Sequence, residues 1–558
     1  MAIISNQERS DRGPALSEAE AIARVGWFTP TFWAACGAFA LTVLYRFLAT
    51  ASFPNDEHEY LAGAQQMLLA GEWPTRDFFD PGRPLMYVAS AAAQIVFGQP
   101  LFAEALLTSL AFGVAAALLV FAAHRLSGSL LVAVIATVLT VALFPRPYAY
   151  PKVLLYVAGP LVMWGWLRRP SWPRMIAMAA FIAVAALLRH DHGVYLGGAA
   201  VATMLLAPAS GYRERAARIA WFAVLVAILM LPYAIYIERS EGVLAFLRAA
   251  WGYSSREADR TQLRWSWLNW GHDVRLVYLS YLLPLAMLAW FAIDARVRGV
   301  VSQVRTPAVV VPLAALALVT NIGFLRQPLP VRVADIVVPT LCGAWLAGRA
   351  LRISGTWSRR VVIGLVVIVA AFAANSVLAI GNVAENLNRT DLGRGIEYAP
   401  TVLQLRAAGL RDRFDSRYVP SGRIPALVPF FEYLDRCTTI QHRLFVAGYA
   451  PEIFTYARRL FAGGHGQFIQ GYQVSEAAQR QIIERLQQQF VLFALMLSDE
   501  EPQWRAESVP IDAYVRANFS PMAEIPLDPD RTVRVLVRNG SDAIRTGTDK
   551  QTAWPCFR

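Results

Sequence analysis

The chain has 558 residues, of which 56% are hydrophobic and 16% charged, with a formal net charge of +12. Soluble domains carry about 25% charged residues, so this composition excludes an ordinary soluble protein. The arginines sit mostly in short loops between apolar runs, which points to membrane topology and anionic headgroups rather than to nucleic acid.

The first thirty residues are polar and lack a signal-peptide pattern, so the first apolar run is expected to act as an uncleaved anchor. Nearly all long apolar runs lie in 31–381, while 382–558 reads as soluble protein. A bilayer-crossing helix needs about 20 apolar residues. On that rule spans are expected near 31–50, 103–123, 129–145, 151–167, 173–189, 193–209, 217–237, 276–293, 307–325, 332–349 and 361–381. A further apolar stretch, 85–98, is short and follows Pro81, Gly82 and Pro84. Counting it would make twelve spans; a dipping or surface-lying helix leaves eleven.

Positive charge decides between these. With eleven spans, one set of loops carries fourteen Arg residues, from Arg125 to Arg360, and the short loops opposite carry five cations: Arg146, Lys152, Arg189, Arg326 and Arg332. Arg9, Arg12 and Arg24 of the N-terminus then share the cationic, cytoplasmic side. The loop 51–102 and the segment 382–558 fall outside, in the periplasm of a bacterial inner-membrane protein. The outside loop 238–275 interleaves Trp251, Trp265, Trp267 and Trp270 with Arg248, Arg256, Arg260 and Arg264, a composition suited to the membrane surface or to covering a site.

The C-terminal segment alternates. Strands are expected at 443–447, 490–495 and 531–538, and helices at 452–459 and 475–489, which makes a small α/β domain. The fold class is thus an all-α polytopic membrane domain with a C-terminal periplasmic α/β domain. Cys36 and Cys342 lie in expected membrane helices. Cys437 and Cys556 lie in the soluble segment, where an oxidising compartment would permit pairing, but spacing alone does not decide it.

Three polar clusters stand on the outer side. Asn55-Asp56-Glu57-His58-Glu59-Tyr60 follows the first span. Such residues can be merely solvated; equally, carboxylates held there suit proton abstraction from an acceptor hydroxyl, or a divalent metal. The turn 76–85 adds Asp80 and Arg83. Arg189-His190-Asp191-His192-Gly193 places two His around an Asp, able to bind metal, orient a base, or simply pair with neighbouring charges. Arg146 and Lys152 flank a fourth loop, where they would meet a lipid phosphate or headgroups. Charges this close to the bilayer default to a functional hypothesis.

The order of these features resembles the GT-C membrane glycosyltransferases, in particular the group of protein O-mannosyltransferases and lipid A aminoarabinose transferases. It comprises a span, Asp56-Glu57, Tyr60, Gly71-Glu72, Arg76-Asp77-Phe78, a Pro-rich turn and a short apolar helix ending Phe97-Gly98. The motifs cover about 31–210, the rest by topology only. The resemblance implies transfer of a sugar from a polyprenyl-phosphate donor to an acceptor lipid, glycan or protein. It places the family's first acidic position on Asp56, with Glu57 beside it, and the second on Asp80. The turn here reads Asp-Pro-Gly-Arg-Pro-Leu instead of the usual Glu-Lys-Pro-Pro-Leu, which leaves Arg83 as the phosphate partner, and Arg-His-Asp-His-Gly is not part of the common motif. The expected roles are Asp56 as general base, with Glu57 and Asp80 in support, and Arg83, Arg146, Lys152, His190, Asp191 and His192 around the substrate. Two rival classes are a transporter or flippase of lipid-linked glycans and a non-catalytic scaffold. A transporter would need charges deep within spans and internal symmetry; few such charges and no clear repeat are present.

Overall fold

The computed structural model describes residues 29–50, 52–207, 211–260, 271–297, 307–326, 330–353, 355–415, 422–469, 471–472 and 474–557. The expectations for Arg9, Arg12, Arg24, Arg264, Trp265, Trp267, Trp270, Arg298 and Arg305 lie outside them. Among the described residues, six helices are long and apolar enough to cross a membrane: Pro30–Ala49, Pro100–Ser127, Tyr212–Ser240, His272–Ile293, Val333–Ala350 and Thr356–Ile380. The other five stretches read as spans are helical too, over Leu130–Ala142, Tyr150–Arg168, Trp172–Leu188, His190–Leu206 and Pro307–Arg326. The stretch at 85–98 is the helix Pro84–Phe97, whose 14 residues extend about 21 Å, short of the roughly 30 Å hydrocarbon core.

Local chemistry sets the helix ends. Thr29 caps the first helix, accepting a bond from the Phe32 N–H, and Pro30 sits at N1, where its missing donor costs nothing. Ser129 caps Leu130–Ala142 in the same way. That helix is shorter than the span read at 129–145, because Pro145 follows and Phe144 turns to φ +47°. Phe144 forms one slice of a sandwich. The Arg46 guanidinium lies 4.0 Å from the centroids of both the Phe112 and Phe144 rings and donates to the Pro145 carbonyl at 2.8 Å. The end of the first span is thereby fastened to the loop carrying Arg146. Pro30–Ala49 packs along Pro100–Ser127, and this close approach requires Gly113, where a Cβ would lie 2.5 Å from Val43.

The C-terminal sheet has strands β1 (Arg443–Ala447), β2 (Val491–Leu497), β3 (Phe519–Asp528) and β4 (Arg531–Arg538) in the order β1-β2-β4-β3. β1 and β2 are parallel; the β2/β4 and β3/β4 pairs are antiparallel. β2 is buried throughout, as befits a central strand. β3 escaped the sequence reading because Pro521 and Pro526 interrupt it, and proline is tolerated there because the strand is at the edge. The helices Ala399–Arg411 and Arg423–Cys437 were also unread. Cys437 and Cys556 form a disulfide tying the second of these to the C-terminal strand Pro555–Phe557.

This region docks on the loop 51–102. Arg443 forms an ion pair with Glu72, the Gln66 amide donates to the Phe461 carbonyl at 2.9 Å, and the Phe79 N–H donates to the Gly464 carbonyl at 2.9 Å. The Phe79 ring stacks on His465.

Candidate functional site

The helix Asn55–Ala70 begins one turn after the first span and ends at Gly71, whose φ of +66° makes a left-handed cap. It is a polar helix that the fold nonetheless buries: Glu57 and His58 are fully inaccessible and Tyr60 nearly so. Each side chain is held by a different neighbour. The Glu57 carboxylate accepts the Tyr148 backbone N–H at 2.5 Å. Burial holds its carboxyl well above the ordinary range, the Tyr148 bond pulling the other way. His58 packs between Phe53 and Tyr456, and burial depresses its pKa to about 3, so it is neutral. Glu59 forms an ion pair with Arg83 at 2.7 Å and accepts from the Tyr87 hydroxyl at 3.2 Å.

Asp56 differs from these. Its side chain is 36% exposed, and Arg146 stands 3.7 Å away. Its Oδ1 accepts a hydrogen bond from the Tyr449 hydroxyl, delivered by the C-terminal region. Asp56 therefore lies where the loop 51–102, the 146–152 loop and the C-terminal region meet.

Asp80 organises the turn that follows. Its Oδ1 accepts the N–H groups of Gly82 at 3.0 Å and Arg83 at 2.7 Å, while its buried Oδ2 meets no donor among the described residues. Burial raises the carboxyl to about 6, against the Arg83 N–H and guanidinium, which lower it. The turn needs glycine at 82: φ is +98°, and a Cβ would lie 2.6 Å from His190 Nδ1. There the second cluster joins the first, since the His190 N–H donates to the Gly82 carbonyl at 3.1 Å. Arg83 donates to the Tyr60 hydroxyl as well as to Glu59, with its guanidinium over the Tyr60 ring.

A further set of contacts surrounds Asp191 and Lys152. Arg189 forms an ion pair with Asp191 at 2.8 Å, and His192 lies 3.4 Å from Asp191 and hydrogen-bonds the Tyr156 hydroxyl at 3.2 Å. Lys152 is buried, its ammonium 2.7 Å from Asp335. Asp335, Tyr449, Tyr148 and Arg46 were not singled out from the sequence. Tyr449 is 393 positions from Asp56, and nothing local to it signals the contact. Arg46 carried a signal, as a cation near the end of an apolar run.

Asp56 and Glu57 thus adjoin the 146–148 loop, Asp80 and Arg83 adjoin His190, and Glu59 links the two groups through Arg83. Lys152 and Asp335 pair with each other, and His192 meets Asp191 and Tyr156. Among the described residues no group of three or more His, Cys, Asp or Glu side chains is placed to hold a metal ion. Chemically, the arrangement offers an accessible carboxylate beside an accessible guanidinium, with the buried carboxyl of Glu57 next in the chain.

No family model matches the chain, and no curated protein matches it. Among solved structures it is similar to ArnT from Cupriavidus metallidurans bound to undecaprenyl phosphate, with a TM-score of 0.50 and 14% identity over 91% of this chain and 98% of that one. The apo structure of the same protein aligns with a TM-score of 0.48 and 16% identity over 90% of this chain and 98% of that one. The chain therefore shares the overall fold of that first structure over nearly its whole length.

Proposed function

We propose that this protein transfers a sugar from a polyprenyl-phosphate donor to an acceptor hydroxyl at the periplasmic face of the bacterial inner membrane. In this reading eleven spans carry a cytoplasmic N-terminus and a periplasmic domain over 382–558. The observation that carries it is Asp56, an accessible carboxylate touching both Arg146 and a hydroxyl. The Tyr449 hydroxyl now occupies the place an acceptor hydroxyl would take. The likeness to a structure holding undecaprenyl phosphate supports the choice of donor.

The step balances without a further reactant. The acceptor oxygen attacks the anomeric carbon while its proton passes to Asp56. The bond from that carbon to the phosphate oxygen breaks, and polyprenyl phosphate leaves with the electron pair. Arg146, with the Tyr60-stacked Arg83 behind it, stabilises the departing phosphate; preorganised cations at developing charge are an effective device in a dry site. Asp80 holds the turn that aims Arg83. Glu57 fixes the Tyr148 loop. Lys152, tied to Asp335, with His190, Asp191 and His192, supports the floor. A long apolar chain can remain in lipid while only its phosphate reaches the site.

Asp56→Asn tests this reading. General-base contributions are about 10²–10⁴-fold, and a loss of that size is expected for transfer from a lipid-linked donor in membranes. Undiminished transfer at normal expression would sink the assignment.

A further inference from the structure

The C-terminal region holds a cavity of about 280 Å³ that shares a wall with the proposed site. Tyr449, Phe468 and Trp504 line it together with Glu500, Gln503 and Glu507. Aromatic groups and fixed acceptors in one lining suit a ring with an apolar face and a rim of hydroxyls.

The acceptors are held rigidly. Glu500 accepts the Tyr449 N–H at 2.6 Å and an Arg423 N–H at 3.3 Å; Glu507 accepts the Gly471 N–H at 2.6 Å and the Gln503 amide at 2.9 Å. Each of these oxygens has a second lone pair for a hydroxyl donor. Arg423 offsets the charge of Glu500, and Asp499, also in the lining, stands 3.6 Å from Arg531. A neutral ligand therefore fits better than a phosphate. Trp504 is only 6% exposed, and its indole N–H meets no acceptor among the described residues. A buried donor left unpaired is costly, and a hydroxyl oxygen arriving beside it would supply the partner. The volume lies just below the about 300–1,000 Å³ of pockets for drug-sized ligands, enough for one or two sugar rings and not for a long chain.

Tyr449 joins this cavity to the chemistry. Its backbone is bound to Glu500, it is among the residues that line the cavity, and its hydroxyl ends on Asp56. We propose that the cavity is an acceptor subsite for a neutral, hydroxyl-rich sugar residue, and that Tyr449 couples its occupancy to Asp56. The acceptor role rests on the glycosyltransferase reading; the sugar binding does not.

The test uses the full chain in lipid nanodiscs and saturation-transfer NMR with glucose, galactose, mannose, N-acetylglucosamine and arabinose. At least one sugar is expected to receive saturation. Its signal should fall at least fivefold in Gln503→Trp and in Val474→Arg, which obstruct the cavity from exposed positions and leave thermal unfolding unchanged. No saturation of any of the five, or equal signals in both folded variants, overturns the proposal. Asp56→Asn separates the two readings: it should keep the Gln503-sensitive binding while losing transfer. If transfer survives Asp56→Asn and the binding persists, the catalytic reading fails and the sugar site stands.

Discussion

Two helices near the membrane invert the usual relation between hydrophobicity and burial. Asn55–Ala70 is rich in polar groups, yet Glu57, His58, Glu59, Gln65 and Gln66 on it are buried. Thr356–Ile380 is strongly apolar, yet only Ser376 and Val377 of it are buried. Along its length Val361, Leu365, Val367 and Ile368 point outward, each more than half exposed. In a membrane protein apolar sequence reports contact with lipid. The protein interior is where polar groups gather, because there they find partners. The proposed chemistry accordingly lies on the polar helix and its neighbours, and the apolar helix turns its side chains outward.

This contrast can be broken or sharpened experimentally. The largest effect is expected at Asp56, where loss of the carboxylate should reduce transfer by two to four orders of magnitude without a change in unfolding. Next is the buried Lys152–Asp335 pair. Lys152→Ala takes the ion partner from a carboxylate whose side chain is 4% exposed, and a loss of about 3–5 kcal/mol is expected. Lys152→Met combined with Asp335→Leu should recover most of it in denaturant melts, since removing both charges also removes the desolvation cost. A double variant as unstable as the single one would show that the pair is not the cause.

The Cys437–Cys556 disulfide spans 119 positions. Replacing both cysteines by serine should cost about 2–5 kcal/mol in the C-terminal region, read as a lower melting temperature that reductant does not lower further.

A comparable effect of about 3 kcal/mol is expected from Asp80, with a defined pH dependence. Its carboxyl titrates near 6 when folded and near 3.8 when not. The folded state therefore holds the proton over that interval while the unfolded state has lost it. Stability falls as pH rises from about 4 to about 6 and is flat above. Asp80→Asn keeps an acceptor for the Gly82 and Arg83 N–H groups and should flatten that slope in melts between pH 4 and 7. An unchanged slope would place the titration elsewhere. The smallest effect is expected on the apolar helix: Val367→Ala, at a 59% exposed position, should change stability by less than about 0.5 kcal/mol.

Much of this molecule was legible in its sequence, for a physical reason. Apolar run length, cap residues and the alternation of β1, β2 and β4 are local signals, and they placed helices at every expected stretch and three of the four strands of the larger sheet. The polar motifs beginning at Asp56, Asp80 and Arg189 were also visible, because charges beside a bilayer stand out. What only the tertiary structure decided is how these pieces face one another. Asp335 lies under Lys152, Tyr449 reaches Asp56, and Gly82 yields its carbonyl to His190. Those contacts arise from packing between segments far apart in the chain, where no periodicity or spacing reports them. Composition and spacing present Asp56 and Glu57 only as adjacent carboxylates, and it is the resemblance that gave Asp56 the role of base and Glu57 that of support. The fold buried one against Tyr148 and left the other accessible between Arg146 and Tyr449, and that difference in surroundings singles out Asp56.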